Sequence, residues 1–82
     1  MQHKNLIDVL QRLGLVKDGD MWNVAHGVAA TVYVSFDEES LIIDHVTKLE
    51  VTTELVYATT ARRERFAFEV DTVRALRVVT DK

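Results

Sequence analysis

Cysteine is absent from this chain, glycine occurs only at the isolated positions 14, 19 and 27, and serine only at 35 and 40. Each scarcity excludes a chemistry. Without cysteine there is no disulfide, no thiol nucleophile and no Cys/His cluster at zinc-ligand spacing, a pattern compatible with a reducing cytosol. Isolated glycines leave no glycine-rich loop to cradle a phosphate. Neither Ser35 nor Ser40 stands in a Gly-x-Ser-x-Gly elbow, so serine nucleophile chemistry lacks its usual setting. The stretch MQHKNLIDVLQRLGL has no long uninterrupted apolar run, so neither a signal peptide nor a membrane span is expected, and a soluble cytoplasmic protein with no membrane partner is. Basic excess is missing too. A net charge of -3 and a pI near 5.5 give no global attraction to nucleic acid.

What is present describes a small folded domain. With 48% hydrophobic and 28% charged residues, the 82 positions read as a single globular domain over 1–82, with no polar run long enough to be disordered. A core of this size supplies little net stability, and nothing covalent staples it. Self-association is therefore expected, as a homodimer, or association with another protein partner.

Two local periods organise the chain. Leu6, Val9, Leu10 and Leu13, with Ile7 beside them, have helical spacing, which predicts an amphipathic helix over about 5–13, with Asn5 as N-cap. Gly14 stands where a left-handed residue ends a helix, and Leu15 can fold back on Leu10 as in a Schellman ending. Lys17-Asp18-Gly19-Asp20 is a turn signal. From Met21 the period changes to two, in a chain that carries thirteen valines, and a β meander is expected over about 21–79. Val28, Ala30, Val32, Val34 and Phe36 alternate with mixed residues. After the turn Asp37-Glu38-Glu39-Ser40, the continuous run Leu41-Ile42-Ile43 predicts a strand buried on both faces, covered by a second layer or a partner. Strands over 55–60, 65–70 and about 74–79 follow, with a turn through Ala61-Arg62-Arg63-Glu64.

An echo runs through the second half of the sequence. DHVTKLEV at Asp44–Val51 and DTVRALRV at Asp71–Val78 share Asp-x-Val-x-x-Leu-x-Val, 27 positions apart. The match extends upstream, from Leu41-x-Ile43 to Phe68-x-Val70, and defines two copies over about 31–51 and 55–78. In each, alternation breaks at the Asp, resumes one apolar residue later, skips, and alternates again: strand, corner, strand. The carboxylates of Asp44 and Asp71 suit a corner because they accept local hydrogen bonds. The expected fold is α+β, with one N-terminal amphipathic helix packed on a curled antiparallel meander sheet or partly open small β-barrel of about 6–7 strands. Two tandem strand-turn-strand copies build it.

Aligning the copies exposes the most distinctive polar feature. The tip of the first hairpin is Asp37-Glu38-Glu39, and the equivalent tip of the second is Arg62-Arg63-Glu64-Arg65. Opposite charge on equivalent tips suggests that one copy's acidic tip faces another's basic tip, steering association. Charged tips also simply keep hairpin ends wet and block edge pairing. The first reading is therefore a non-catalytic interaction or regulatory module that self-associates. Its contact residues would be Asp37, Glu38, Glu39, Arg62, Arg63 and Arg65, with the apolar Leu41, Ile42 and Ile43. The alternative is a small-barrel protein binding single-stranded nucleic acid, with Arg62, Arg63 and Arg65 on phosphates and Tyr33 and Tyr57 as stacking platforms. A third reading, a metal-dependent or acid-base enzyme, would need His26 or His45 to converge with carboxylates such as Asp44 or Asp20; His3 lies too near the terminus to serve. No His-x-x-x-His spacing supports it. No catalytic residue, cofactor or metal is implied, and no small-molecule ligand.

Overall fold

Leu6 and Leu10 fall on one face of a helix, α1, that spans His3–Arg12 and buries both of them completely. It is followed by β1 (Val16–Asp18), β2 (Met21–Asn23), β3 (Val28–Phe36), β4 (Glu39–Val51), β5 (Leu55–Thr60), β6 (Arg65–Glu69), a 3-10 turn at Val70–Thr72, and β7 (Val73–Thr80). These elements come from a computed structural model that describes residues 1–80. The seven strands form one curled antiparallel sheet, a half-barrel. Among the described residues no helix is long and apolar enough to cross a membrane.

Strand β4 is the spine. Along one edge it pairs first with β3 (Phe36 opposite Glu39, Ala30 opposite Val46) and then with β2 (Asn23 opposite Lys48, Met21 opposite Glu50). Its other edge pairs with β5, from Val46 opposite Thr60 to Val51 opposite Val56. To serve three partners, β4 must bend. Against β3 it carries one extra residue between Ile43 and Val46, and against β5 another at Thr47. At the first bulge His45 takes a φ of 56°, in the left-handed region that a non-glycine residue adopts at a cost. Two bonds hold it there. The Ala61 N–H donates to the His45 carbonyl at 2.9 Å, and the buried Thr31 hydroxyl donates to Asp44 Oδ1 at 3.0 Å.

The second member of the echo bends by other means. Asp71 lies in the 3-10 turn that joins β6 to β7, and β7 then pairs with β3, not with its neighbour in sequence. The sheet is therefore not a simple meander. An extra residue at Arg74 bulges β7 against β3, between the pairs Val73–Val34 and Ala75–Tyr33.

Several boundaries differ from the sequence expectation. The helix begins at His3, so Asn5 is inside it and Gln2 occupies the N-cap position without a side-chain bond. The Met1 nitrogen donates to the carbonyls of Asp71 and Val73 at 3.1 and 2.9 Å, drawing the start of the helix onto the 3-10 turn. Its end follows the Schellman pattern: Gly14 has φ 85°, its N–H bonds Gln11 O, and the Leu15 N–H bonds Leu10 O. Pairing starts at Val16 instead of 21, because β1 and β2 close a hairpin over Gly19-Asp20, with Gly19 at φ 64°. This hairpin delivers Trp22, 2% exposed, into the core.

The run Leu41-Ile42-Ile43 is not buried on both faces. Ile43 is 2% exposed and Leu41 packs at the core margin, but Ile42 is 58% exposed. A strand's side chains alternate between faces, and the helix covers only the concave one. Ile42 points away from it.

Replacing Gly14 with Ala places a Cβ in open space but at a left-handed φ. The expected result is a loss of about 1 kcal/mol, read as a drop of about 5 °C in the melting temperature of a domain this size. Asp44→Ala is expected to cost about 1–2 kcal/mol by leaving the buried Thr31 hydroxyl without its acceptor, and Thr31→Val/Asp44→Ala less than the sum of the single changes. Urea denaturation of the four proteins in this cycle measures both.

Candidate functional site

The two charged tips form by different turns. Asp37 and Glu38 close a two-residue hairpin between Phe36 and Glu39, with Asp37 at φ 54°. The basic tip is a wider turn through residues 61–64, with Arg63 at φ 65° and its N–H bonded to Thr60 O at 2.9 Å. Thr60 pins this turn from below: its hydroxyl accepts the Glu64 N–H at 3.2 Å and donates to Glu64 Oε1 at 3.4 Å. Glu64 stays exposed, and Arg62, Arg63 and Arg65 outnumber its single negative charge to set the sign of the tip.

All six charged tip residues, Asp37, Glu38, Glu39, Arg62, Arg63 and Arg65, are exposed. Among the described residues the ion pair is Arg12–Asp8 within the helix, at 2.9 Å; none involves either tip. The acidic tip opens β4 at Glu39, while the basic one leaves β4 at Val46, which pairs with Thr60, and runs back along it, Arg62 and Glu64 lining a hollow with Ile42 and Asp44.

Strand β6 runs between the two charges. It begins at Arg65 in the basic tip, and at its far end Glu69 lines an open groove of about 470 Å³ with Phe36, Asp37, Leu55, Phe68 and Thr72. Phe36 and Leu55 are among the large apolar side chains left exposed. No local pattern signals this groove, because it forms between the first hairpin tip and strands that lie far from it along the chain. Ile42 adds a further exposed apolar side chain, while Ile43 is consumed by the core.

The residues of the nucleic-acid reading are divided. Tyr57, 42% exposed, shares a hollow with Lys48, Glu50 and Arg65. Tyr33 is half-buried and pairs with Ile42 and Ala75, whereas Tyr57 pairs with Glu50 and Ala67. Residues 42 and 50 lie eight positions apart on β4, so the tyrosines do not form one platform.

The histidines are likewise dispersed. His3 opens the helix, and exposed His26 lies in the loop before β3. His45 lies at the β4 corner in an open hollow of about 280 Å³ lined also by Ile42, Asp44, Arg62, Glu64 and Phe66. Asp44 there already accepts the Thr31 hydroxyl and Glu64 the Thr60 hydroxyl. His26 borders a different hollow, against Val46 and Thr47. Among the described residues no group of three or more His, Asp or Glu side chains is placed to hold a metal ion. A reacting group in the His45 hollow would meet exposed side chains, without the water-excluding enclosure that strengthens electrostatic catalysis.

No protein-family model, no curated protein and no solved structure matches this chain.

Proposed function

We propose that this chain is a non-catalytic interaction or regulatory module that self-associates, with its two tandem strand-turn-strand copies presenting tips of opposite charge. The observation that carries the reading is that Asp37, Glu38 and Glu39 in one turn and Arg62, Arg63 and Arg65 in the other are exposed and without an ion pair among the described residues. Between two molecules such charges can pair, and their complementarity steers encounter and fixes register. The exposed Ile42, Phe36 and Leu55 supply apolar surface near the tips.

A second reading keeps one specific support, the hollow that brings Tyr57 to Arg65 and Lys48. A single-stranded nucleic acid would place phosphates on the cations and a base on the ring. Glu50 in the same hollow opposes it.

Sedimentation velocity at low ionic strength separates the two. Self-association is expected in the unmodified protein, to weaken as salt rises, and to weaken about tenfold in Arg62→Glu/Arg63→Glu. An unchanged profile in that variant would remove the role given to the tips. The second reading predicts instead a rise in the anisotropy of a labelled oligothymidylate, lost with salt and with Arg65→Ala.

A further inference from the structure

Strand β6 reads Arg65-Phe66-Ala67-Phe68-Glu69, a sequence that is complementary to its own reverse. Read against a second copy in the opposite direction, Arg meets Glu, Phe meets Phe, Ala meets Ala, and Glu meets Arg. This matters only if the strand has a free edge, and among the described residues β6 pairs with β5 alone.

The phase of the β5–β6 ladder decides which groups that edge presents. The Thr60 N–H bonds Glu64 O and the Val70 N–H bonds Glu54 O, at 3.0 and 2.8 Å. Both belong to the register that sets Ala58 opposite Phe66 and Val56 opposite Phe68. Hydrogen-bonded and non-bonded pairs alternate in an antiparallel ladder, so Phe66 and Phe68 spend their main-chain groups on β5. Arg65, Ala67 and Glu69 therefore turn theirs outward. The Glu69 carbonyl, at the N-cap of the 3-10 turn, already accepts the Thr72 hydroxyl at 2.6 Å and the first bond of that turn, so at this position the edge offers its N–H.

We infer that two copies of this chain join through β6, antiparallel, about a two-fold axis at Ala67; the inference rests on the self-association proposed above. In that register Arg65 faces the partner's Glu69, Ala67 faces the partner's Ala67, and Glu69 faces the partner's Arg65. All three are positions of the outward-facing phase: the Ala67 pair exchanges both main-chain bonds, and each Arg65–Glu69 pair makes the one from the Glu69 N–H to the partner's Arg65 carbonyl. The side chains of Arg65, Ala67 and Glu69 are exposed on the convex face, where the charges pair across strands and the small methyl groups meet at the axis. Half-buried Phe66 meets the partner's Phe68 on the concave side. Registers centred on Arg65 or on Glu69 would oppose like charges.

The same axis also satisfies the tips. The acidic Asp37 shares a groove with the second half of β6, Ala67 to Glu69, while Arg62 and Arg63 lie beyond Arg65 at the other end. Reversing direction about Ala67 brings each basic tip to the partner's acidic end. The free edge of β7 does not offer this: its charges are Arg74 and Arg77, both exposed and of one sign, and Arg74 bulges it.

Charge reversal with restoration tests the register. At low salt, Arg65→Glu and Glu69→Arg are each expected to weaken the dimer about tenfold, and the double exchange Arg65→Glu/Glu69→Arg to return it close to the original affinity. The chain has no cysteine, so Ala67→Cys supplies the sole thiol. Facing Cα atoms in a hydrogen-bonded pair are about 5.5 Å apart, within disulfide reach, and mild oxidation is expected to give a covalent dimer faster than Ala75→Cys on β7 does. Restoration by the double exchange together with preferential cross-linking at 67 supports the β6 axis. A dimer that forms but is indifferent to both reversals, or cross-links at 75 and not at 67, overturns this axis while leaving self-association standing. A protein that stays monomeric at every concentration overturns both.

Discussion

One strand has to satisfy three neighbours, and the fold follows from how it does so. β4 pairs with β3, β2 and β5, and a straight strand cannot hold two successive partners on one edge while curling toward a third on the other. It bends by inserting residues. Each insertion shifts the phase of the buried face, so the core residues of β4 are Ile43, Val46, Leu49 and Val51, spaced three, three and two where regular alternation would give two throughout. The skip at His45 is the costly one, since its left-handed backbone is held by the Thr31–Asp44 and Ala61–His45 hydrogen bonds.

The echo acquires a physical meaning from that spacing. From Val70, the inward residues run Val73, Leu76 and Val78, buried or half-buried, with the same steps of three, three and two. The first slip is a 3-10 turn in place of a left-handed histidine, and the second is the bulge at Arg74. The shared letters thus record a shared sequence of phase changes, reached by unlike backbones. Curling by bulges bends a sheet without requiring it to close, and the helix with Leu6 and Leu10 fills the concavity that remains.

Much of this was legible in the letters, for identifiable reasons. Where a rule is local, the sequence spoke clearly: Gly14 and Leu15 end the helix, Gly19 turns a hairpin, and the limits of β3 and β5 follow from alternation bounded by turn residues. Non-local rules were silent. Nothing in DTVRALRV says that it returns to β3, because that pairing spans more than forty residues of chain. The exposure of Ile42 is not legible locally, because three consecutive apolar residues look alike whether or not a second layer covers them, and only the position of α1 decides. The candidate surfaces divide the same way. The opposite signs of the tips can be read from composition, but the groove between Phe36 and Glu69 and the free edge of β6 are consequences of curling.

A free sheet edge is ordinarily a hazard, because any edge can template another. What converts hazard into specificity is whether pairing closes. β6 against β6 about a two-fold axis is isologous: each copy uses the same edge once, and after two copies none of that kind is left. On another unpaired edge, that of β7, Arg74 and Arg77 set like charges toward any second β7 while the Arg74 bulge twists the ladder. The charge pattern of the two edges is thus asymmetric in the way a dimer needs. In the proposed pairing β6, with one charge of each sign at its ends, accepts its own copy and is used up by it, whereas β7, with two of the same sign, repels a second β7.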